Sequence, residues 1–182
     1  MEAAMRCFHD HGYTASTVTD IVEAAGYTRG AFYFHFVDKG DCFRHVIAYR
    51  ERLRGDWPAS ILDGLDPQTT SLEDVLEKMF AHFAATDHGS SAWVLVMVDH
   101  FQQHRDDPEA AQLFAEVYRH WHAQIARFVR GLQEQGWLDP DRDPDRLARQ
   151  AFAYVEGTTV HRRLYQPDHN DLVDGLTTLL RS

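Results

Sequence analysis

The sequence lacks any apolar run long enough to cross a lipid bilayer. The longest, residues 92–98, has seven residues, whereas a membrane-spanning helix needs about 20. No segment resembles a signal peptide, so we expect a cytoplasmic protein. Cysteine is also scarce, because only Cys7 and Cys42 are present. Both lie at apolar positions of helical patterns, so we expect two small core residues and no disulfide.

Positive charge is in short supply. The 182 residues hold 18 Lys and Arg against 28 Asp and Glu, which gives a formal net charge of −10. Such a balance disfavours a general nucleic-acid-binding surface. The excess is confined to residues 55–182, because residues 1–54 hold seven basic and seven acidic side chains. An acidic body would leave only the neutral N-terminal part to approach DNA, which is compatible with docking in one orientation.

No segment has the alternating pattern of a half-buried β-strand. Apolar residues recur at helical spacing almost throughout, which predicts an all-α fold with about nine helices. A turn-rich stretch, residues 55–70, contains Pro58, Gly64 and Pro67. We therefore predict an N-terminal module over residues 1–50 and a larger helical body over residues 51–182.

Residues 17–36 predict two short helices joined by a turn at Gly26. This is the arrangement of a helix-turn-helix, in which the second helix enters a major groove. At 100° per residue, one side of the second helix carries Ala31, Phe32 and Phe36. The other side carries Arg29, Gly30, Tyr33 and Phe34. This outer side either reads DNA or, in the alternative, packs its two aromatic rings on the helical body.

The run TVTDIVEAAGYTRGAFYFHF from Thr17 to Phe36, followed by Lys39 and Phe43, resembles the TetR family of bacterial regulators. The resemblance is close over about residues 1–50 and only architectural beyond them. It implies a helix-turn-helix DNA-binding domain over residues 1–50, with a ligand-binding and dimerisation domain over residues 51–182. The implied function is that of a homodimeric repressor, released from operator DNA by a small-molecule effector.

The resemblance also implies which residues bind DNA. Thr17 would cap the second helix and contact a phosphate, and His35 would contact another. Lys39, at the start of the fourth helix, would bind a phosphate together with the helix N-terminus. The full implied set is Thr17, Thr28, Arg29, Gly30, Tyr33, Phe34, His35 and Lys39.

Three features depart from the family pattern. Relatives usually carry several residues, often basic, ahead of the first helix, whereas this sequence starts almost inside that helix. Gly40 and Val37 stand where a better helix former and a basic residue are common. We therefore expect modest affinity for DNA.

The predicted fifth, sixth and seventh helices carry many large apolar side chains, most of which should be plain core. The resemblance implies a ligand cavity among these helices, and its lining would suit an apolar or aromatic effector. The candidate ligand-binding residues are Met79, Phe83, Trp93, Met97, Phe101, Tyr118, Trp121 and His122.

The last two predicted helices are candidates for the homodimer interface. One carries small residues that permit close helix approach, and the other carries a leucine-rich stripe. The alternative is that both faces pack within one chain. The candidate interface residues are Ala151, Tyr154, Val155, Gly157, Thr158, Leu172, Leu176 and Leu179.

Twelve histidines raise the question of a metal site. His100 and His104 have the i, i+4 spacing that presents two imidazoles to one ion, but no further ligand has convincing spacing. We therefore expect no metal, no cofactor and no enzymatic activity, because no nucleophile and base occur in a catalytic pattern. Two alternatives stay open: a helical small-molecule-binding protein with weak or lost DNA binding, and a histidine-based metal-dependent enzyme.

Overall fold

The computed structural model describes residues 1–86, 93–165 and 169–182, and in these ranges it contains ten α-helices and no strand. The prediction of an all-α fold is confirmed. The helices are α1 (Glu2–His11), α2 (Val18–Ala25), α3 (Arg29–His35), α4 (Lys39–Arg54), α5 (Trp57–Leu62), α6 (Leu72–Thr86), α7 (Trp93–Gln103), α8 (Pro108–Gln135), α9 (Pro144–Tyr165) and α10 (His169–Arg181).

Helix α5 lies inside the stretch that the sequence predicts as turns. The carboxylate of Asp56 caps it by accepting the backbone N–H of Ala59. Pro58 is tolerated because the first turn of a helix does not use its own N–H groups. Trp57 and Ile61 are buried, so the short helix is held by packing.

The chain divides into two compact units. Unit 1 consists of Met1–Gly55 and Thr86–Ala111, and unit 2 consists of Asp56–Ala85 and Gln112–Ser182. Unit 1 therefore combines the four N-terminal helices with α7. The division into a DNA-binding domain and a ligand-binding domain at residue 50 stays a prediction.

An aromatic cluster forms the core of unit 1. Phe8 and Phe43 are fully buried, and their rings meet edge to face with centroids 5.3 Å apart. Tyr13 packs against both rings, at 5.7 and 5.0 Å. From α7, the buried imidazole of His100 stacks on Phe43 at 4.4 Å. These contacts join α7 to α1 and α4 in one hydrophobic core.

Unit 2 has its own core, built from α5, α6, α8, α9 and α10. Two glycines allow its helices to approach closely. A side chain at Gly131 would collide with Leu62, and one at Gly175 would collide with the ring of Tyr154. The most deeply buried members of this core are Leu72, Val75, Leu76, Val129, Leu132 and Leu147.

Cys7 and Cys42 are both buried and both free, as the sequence predicts. Burial raises the pKa of the Cys42 thiol to about 11. Such a thiol is neutral and unreactive at ordinary pH. In the parts of the chain that are described, no helix is both long and apolar enough to cross a membrane.

Candidate functional site

A side-chain cap lies at the start of each of the two helices of the helix-turn-helix. The hydroxyl of Thr17 accepts the backbone N–H of Asp20 at 3.1 Å, and the Asp20 carboxylate accepts the N–H of Thr17 at 2.8 Å. This reciprocal capping box starts α2. Helix α3 starts at Thr28, whose hydroxyl accepts the N–H of Ala31 at 3.2 Å. Gly26 connects the two helices with φ of 69°, a left-handed conformation that suits glycine.

The two faces of α3 differ sharply in exposure. Phe32 is buried on the inner face, with only 5% of its surface accessible. Tyr33 and Phe34 are 50% and 84% exposed on the outer face. In the described part of the chain these two rings are therefore not core residues. Their exposure agrees with the prediction that this face meets a partner, because large aromatic side chains are normally covered.

The remaining predicted DNA-binding residues of α3 are also at the surface. Arg29, Gly30 and His35 are exposed. The imidazole of His35 meets the ring of Phe34 edge to face, with centroids 5.0 Å apart. The structure therefore brings a cation, two aromatic rings and an imidazole onto one exposed helix of seven residues.

Two further exposed residues flank α3, and the sequence analysis did not include either of them in the DNA-binding surface. Tyr27 is 70% exposed just before the helix, and Val37 is 83% exposed just after it. Both lie outside the helix, so the 100° periodicity could not assign them to a face. The signal that could have found them was their position next to the two helix boundaries, Gly26 and Phe36.

Lys39 lies beside the segment that connects α1 to α2. Its ammonium donates to the carbonyl oxygens of Tyr13 at 2.9 Å and Ser16 at 3.0 Å. It also lies 4.3 Å from the centroid of the Tyr13 ring. Burial lowers the pKa of Lys39, and the nearby carboxylate of Asp99 partly offsets that effect. The structure therefore engages Lys39 with its own chain, and its predicted phosphate contact stays a prediction.

The N-terminus of α4 holds two carboxylates. Asp38 caps it by accepting the N–H of Asp41 at 2.7 Å. Asp41 accepts the N–H of Val37 at 3.1 Å, a bond that lowers the pKa of this carboxyl group. Arg44 donates to the same carboxylate at 3.2 Å. A phosphate approaching this helix end would meet negative charge as well as free N–H groups.

A cluster of rings in unit 2 joins α8 to α9. Phe114 stacks on Tyr118 with centroids 4.4 Å apart. Phe152 of α9 lies 5.6 Å from Tyr118 and 6.1 Å from Trp121. The imidazole of His122 meets Phe152 edge to face at 4.8 Å. We call these five residues the ring cluster, and three of them are predicted ligand-binding residues.

One carboxylate lies against the ring cluster. The hydroxyl of Tyr118 donates to Oε1 of Glu156 at 2.8 Å. Burial raises the pKa of Glu156, and burial together with this carboxylate raises the pKa of Tyr118. Among the described residues, Nδ1 of His122 is buried without a hydrogen-bond partner. The sequence analysis missed Glu156 because a lone acidic residue on a long helix normally indicates a solvated face.

Comparisons with known protein families identify both parts of the chain. The sequence model described as "Bacterial regulatory proteins, tetR family" matches residues 1–46. The model described as "BetI-type transcriptional repressor, C-terminal" matches residues 72–180, which is more than half of the chain. The chain belongs to the TetR family. The prediction of a DNA-binding transcriptional regulator is therefore confirmed.

Relatives of this TetR-family regulator span almost the whole chain. The HTH-type transcriptional regulator TtgR of Pseudomonas putida is 27% identical over 95% of this chain and 82% of its own length. The HTH-type transcriptional repressor KstR2 of Mycolicibacterium smegmatis is 31% identical over 92% and 78%. The solved structure of the fatty acid degradation regulator FadR from Bacillus halodurans has a TM-score of 0.71 at 21% identity, covering 98% of this chain and 91% of its own. That similarity shows the fold.

The other predicted ligand-binding residues fall in both units. In unit 1, Trp93 and Met97 are buried and Phe101 is partly buried, and the guanidinium of Arg50 lies 3.9 Å above the Trp93 ring. In unit 2, Met79 is buried and Phe83 packs against Trp57. A surface groove of about 550 Å³ also lies along α6 of unit 2, and none of the predicted ligand-binding residues lines it.

The predicted dimer residues divide into three groups by burial. Ala151, Leu172 and Leu176 are buried within unit 2, so their side chains are used by the core of one chain. Gly157 is exposed, and nothing lies near the position that a side chain would occupy there. The others, which are partly buried, are Tyr154, Val155, Thr158 and Leu179.

His100 of α7 and His104, which follows that helix, do not belong to a group of three potential metal ligands in the described residues. His100 and His104 stack on each other with centroids 4.5 Å apart, and Nδ1 of His104 bonds to the carbonyl oxygen of His100 at 2.9 Å. No group of three potential ligands occurs in the described ranges. Burial is the main reason that the pKa of His100 falls to about 4, so this imidazole is neutral at ordinary pH.

Proposed function

We propose that this TetR-family regulator is a homodimeric repressor that binds operator DNA through α3 and leaves it when a small molecule binds unit 2. The observation that carries the proposal is the outer face of α3, where Tyr33 and Phe34 are exposed on a helix capped at its start. The proposal assigns no catalytic step to the protein. Its place of action would be the cytoplasm, where bacterial operator DNA lies.

The chemistry of the α3 face suits a major groove. Arg29 can donate to guanine or to a phosphate, and the ring of Phe34 can contact a thymine methyl group. The hydroxyl of Tyr33 can reach a phosphate or a base edge. The proposed surface is completed by Thr17, Thr28, Gly30, His35 and Lys39. The ammonium of Lys39 also bonds to the segment that connects α1 to α2.

A homodimer is proposed because operator recognition by this motif uses two recognition helices about one DNA turn apart. The exposed side of α9 includes two small residues about one helical turn apart, Ala153 and Gly157. Small residues there would let two copies of α9 approach closely. The buried leucines of α10 would support this face from within each chain.

The ring cluster is the proposed effector site. Its aromatic faces suit an apolar or aromatic molecule, and Glu156, Tyr118 and His122 supply a few polar contacts. Trp121 and Phe152 would contribute most of the apolar contact area. The predicted ligand-binding roles of Met79 and Phe83 in unit 2, and those of Trp93, Met97 and Phe101 in unit 1, stay predictions.

The direct test is binding of the purified protein to the DNA that flanks its own gene, measured by fluorescence anisotropy between 50 and 200 mM salt. A scrambled duplex of equal length is the control. We expect preferential binding to the flanking DNA, with an affinity that falls steeply as salt rises because phosphate contacts release counterions. Equal affinity for both duplexes, or no binding at the lowest salt, would overturn the proposal and favour a small-molecule-binding protein without DNA function.

A further inference from the structure

The segment that connects α1 to α2 is held by a residue far along the chain. Oδ2 of Asp99, on α7, accepts the backbone N–H of Thr14 at 2.8 Å. Oδ1 of the same carboxylate accepts the Thr14 hydroxyl at 2.6 Å. Both bonds are charge-assisted, so they are stronger than bonds between neutral groups. We call this pair of bonds the Asp99–Thr14 latch.

The backbone beside the latch is shaped to admit the carboxylate. Gly12 has φ of 84°, and a Cβ atom there would lie only 3.0 Å from Oδ2 of Asp99. A larger residue would therefore meet both backbone strain and a steric clash. The close approach of Asp99 depends on glycine at this position.

The opposite side of the segment is held as well. The ammonium of Lys39 bonds to the carbonyl oxygens of Tyr13 and Ser16, on either side of Thr14. The buried hydroxyl of Ser16 donates to the carbonyl oxygen of Gly12 at 2.6 Å. The segment is therefore fixed between α4 and α7, and it has little freedom to shift.

The residue that follows the segment is Thr17, the cap of α2. Because α2 leads through Gly26 into α3, the position of the segment sets where the recognition helix begins. Asp99 lies within unit 1 but outside the residues 1–46 that match the N-terminal family model. It would influence DNA recognition without touching DNA.

We propose that Asp99 is a positioning residue for operator recognition, acting through Thr14 on the start of α2. This inference rests on the proposed function. It predicts that replacing Asp99 changes operator affinity in the direction opposite to the one expected from charge alone. Removing an acidic side chain should strengthen DNA binding through charge alone, whereas loss of the latch should weaken specific binding.

The experiment compares Asp99→Ala, Asp99→Asn and Thr14→Val with the wild-type chain in operator and scrambled-duplex titrations. Asp106→Asn is the matched control, because Asp106 is exposed seven residues further on and its replacement removes the same charge. We expect Asp99→Ala to weaken operator binding about tenfold, because the start of α2 is then no longer held by two charge-assisted bonds. Asp99→Asn should be weakened less, since its amide oxygen still accepts from Thr14, and Asp106→Asn should not be weakened.

Further measurements separate a positioning role of Asp99 from a direct DNA contact and from a general loss of stability. The salt dependence of operator binding should match that of wild type in all four variants, because no phosphate contact is lost. Binding to the scrambled duplex should not weaken. Asp99→Ala combined with Thr14→Val should weaken operator binding no more than Asp99→Ala alone, because both changes break the same latch.

The inference would be overturned if Asp99→Ala bound the operator as tightly as wild type. It would also be overturned if operator and scrambled-duplex binding fell together with the melting temperature, which would indicate a purely structural role. A wild-type chain that binds no DNA would overturn the proposed function and this inference with it. Wild-type binding with unaffected variants would overturn this inference alone.

Discussion

At the scale of single residues, the proposed DNA-binding surface depends on a few exposed side chains of α3. Most exposed residues contribute little to stability, and Tyr33 and Phe34 follow that rule because their rings make few contacts within the chain. Two exposed aromatic rings lower the solubility of a protein, and their presence is explained if DNA covers them. Binding and stability should therefore separate cleanly when these residues are replaced.

Tyr33→Ala should weaken operator binding about tenfold, since one good base contact is worth roughly 1–3 kcal/mol. The free energy of unfolding should change by less than about 0.5 kcal/mol, because the side chain is half exposed. Operator titration and urea unfolding measure the two quantities. Val98→Ala, at an apolar position of α7 that is 42% exposed, is the control. Unchanged operator affinity in Tyr33→Ala would remove Tyr33 from the recognition surface.

Lys39 has contacts within the chain that the sequence did not predict, beside its predicted phosphate contact. Because its ammonium bonds to backbone carbonyls, Lys39→Met should lower the free energy of unfolding by roughly 1–3 kcal/mol. The methionine would keep the apolar stem against Tyr13. The slope of log K for operator binding against log salt should also become shallower by about 0.9, because the proposed surface includes one phosphate contact from Lys39. An unchanged slope would show that Lys39 acts only within the chain.

At the scale of helices, the sequence was sufficient where local signals and packing agree. The cap at Thr17 and the glycine turn at Gly26 were both readable, because each depends on a few neighbouring residues. Helix α5 was not, since Pro58 and the nearby glycines indicate turns unless the burial of Trp57 is known. Whether an apolar stripe packs within the chain or on another copy is equally unreadable, as the buried leucines of α10 show.

The packing of α7 in unit 1 depended on contacts that no local pattern reveals. His100 occupies an apolar position between Tyr13 and Phe43, and its i, i+4 spacing with His104 did not indicate that burial. The role of Asp99 is equally hard to predict from the sequence, because its partner Thr14 lies 85 residues away. Long-range pairs of this kind need a structure.

Burial of the His100 imidazole predicts a specific dependence of the free energy of unfolding on pH. Its pKa is about 4 in the folded chain and about 6.5 when unfolded. The unfolded chain therefore binds a proton first, and stability falls as pH drops from about 6.5 to 4, by up to about 1.4 kcal/mol per pH unit. The charged and titratable groups around the imidazole are Arg44, Asp99, His104 and Asp107. All four are the same in wild type and in the His100→Phe variant.

His100→Phe keeps an aromatic ring in the core and removes this titration. The difference in the free energy of unfolding between the variant and wild type should therefore shift in favour of the variant as pH falls from 7 to 5. Urea unfolding at pH 7, 6 and 5 measures it. Stability curves that stay parallel over this range would show that His100 does not carry the effect.

At the scale of the whole molecule, the proposal needs two copies of the chain. Gly157→Arg would place a long cation on the exposed side of α9, where the proposed interface requires small residues. We expect sedimentation equilibrium to show a weakened dimer and operator binding to fall with it. Gln103→Arg adds the same charge at an exposed position of α7 and is the control. A dimer of unchanged stability in Gly157→Arg would place the interface elsewhere.

The most direct test of the account is a hydroxyl-radical footprint of the wild-type protein on the DNA that flanks its own gene. A dimer that reads DNA through two copies of α3 should protect two half-sites whose centres lie about 10 base pairs apart, or a multiple of that spacing. Protection should disappear in Tyr33→Ala at the same protein concentration. Absence of any protected site at low salt, or a footprint unchanged by Tyr33→Ala, would contradict recognition through the exposed face of α3.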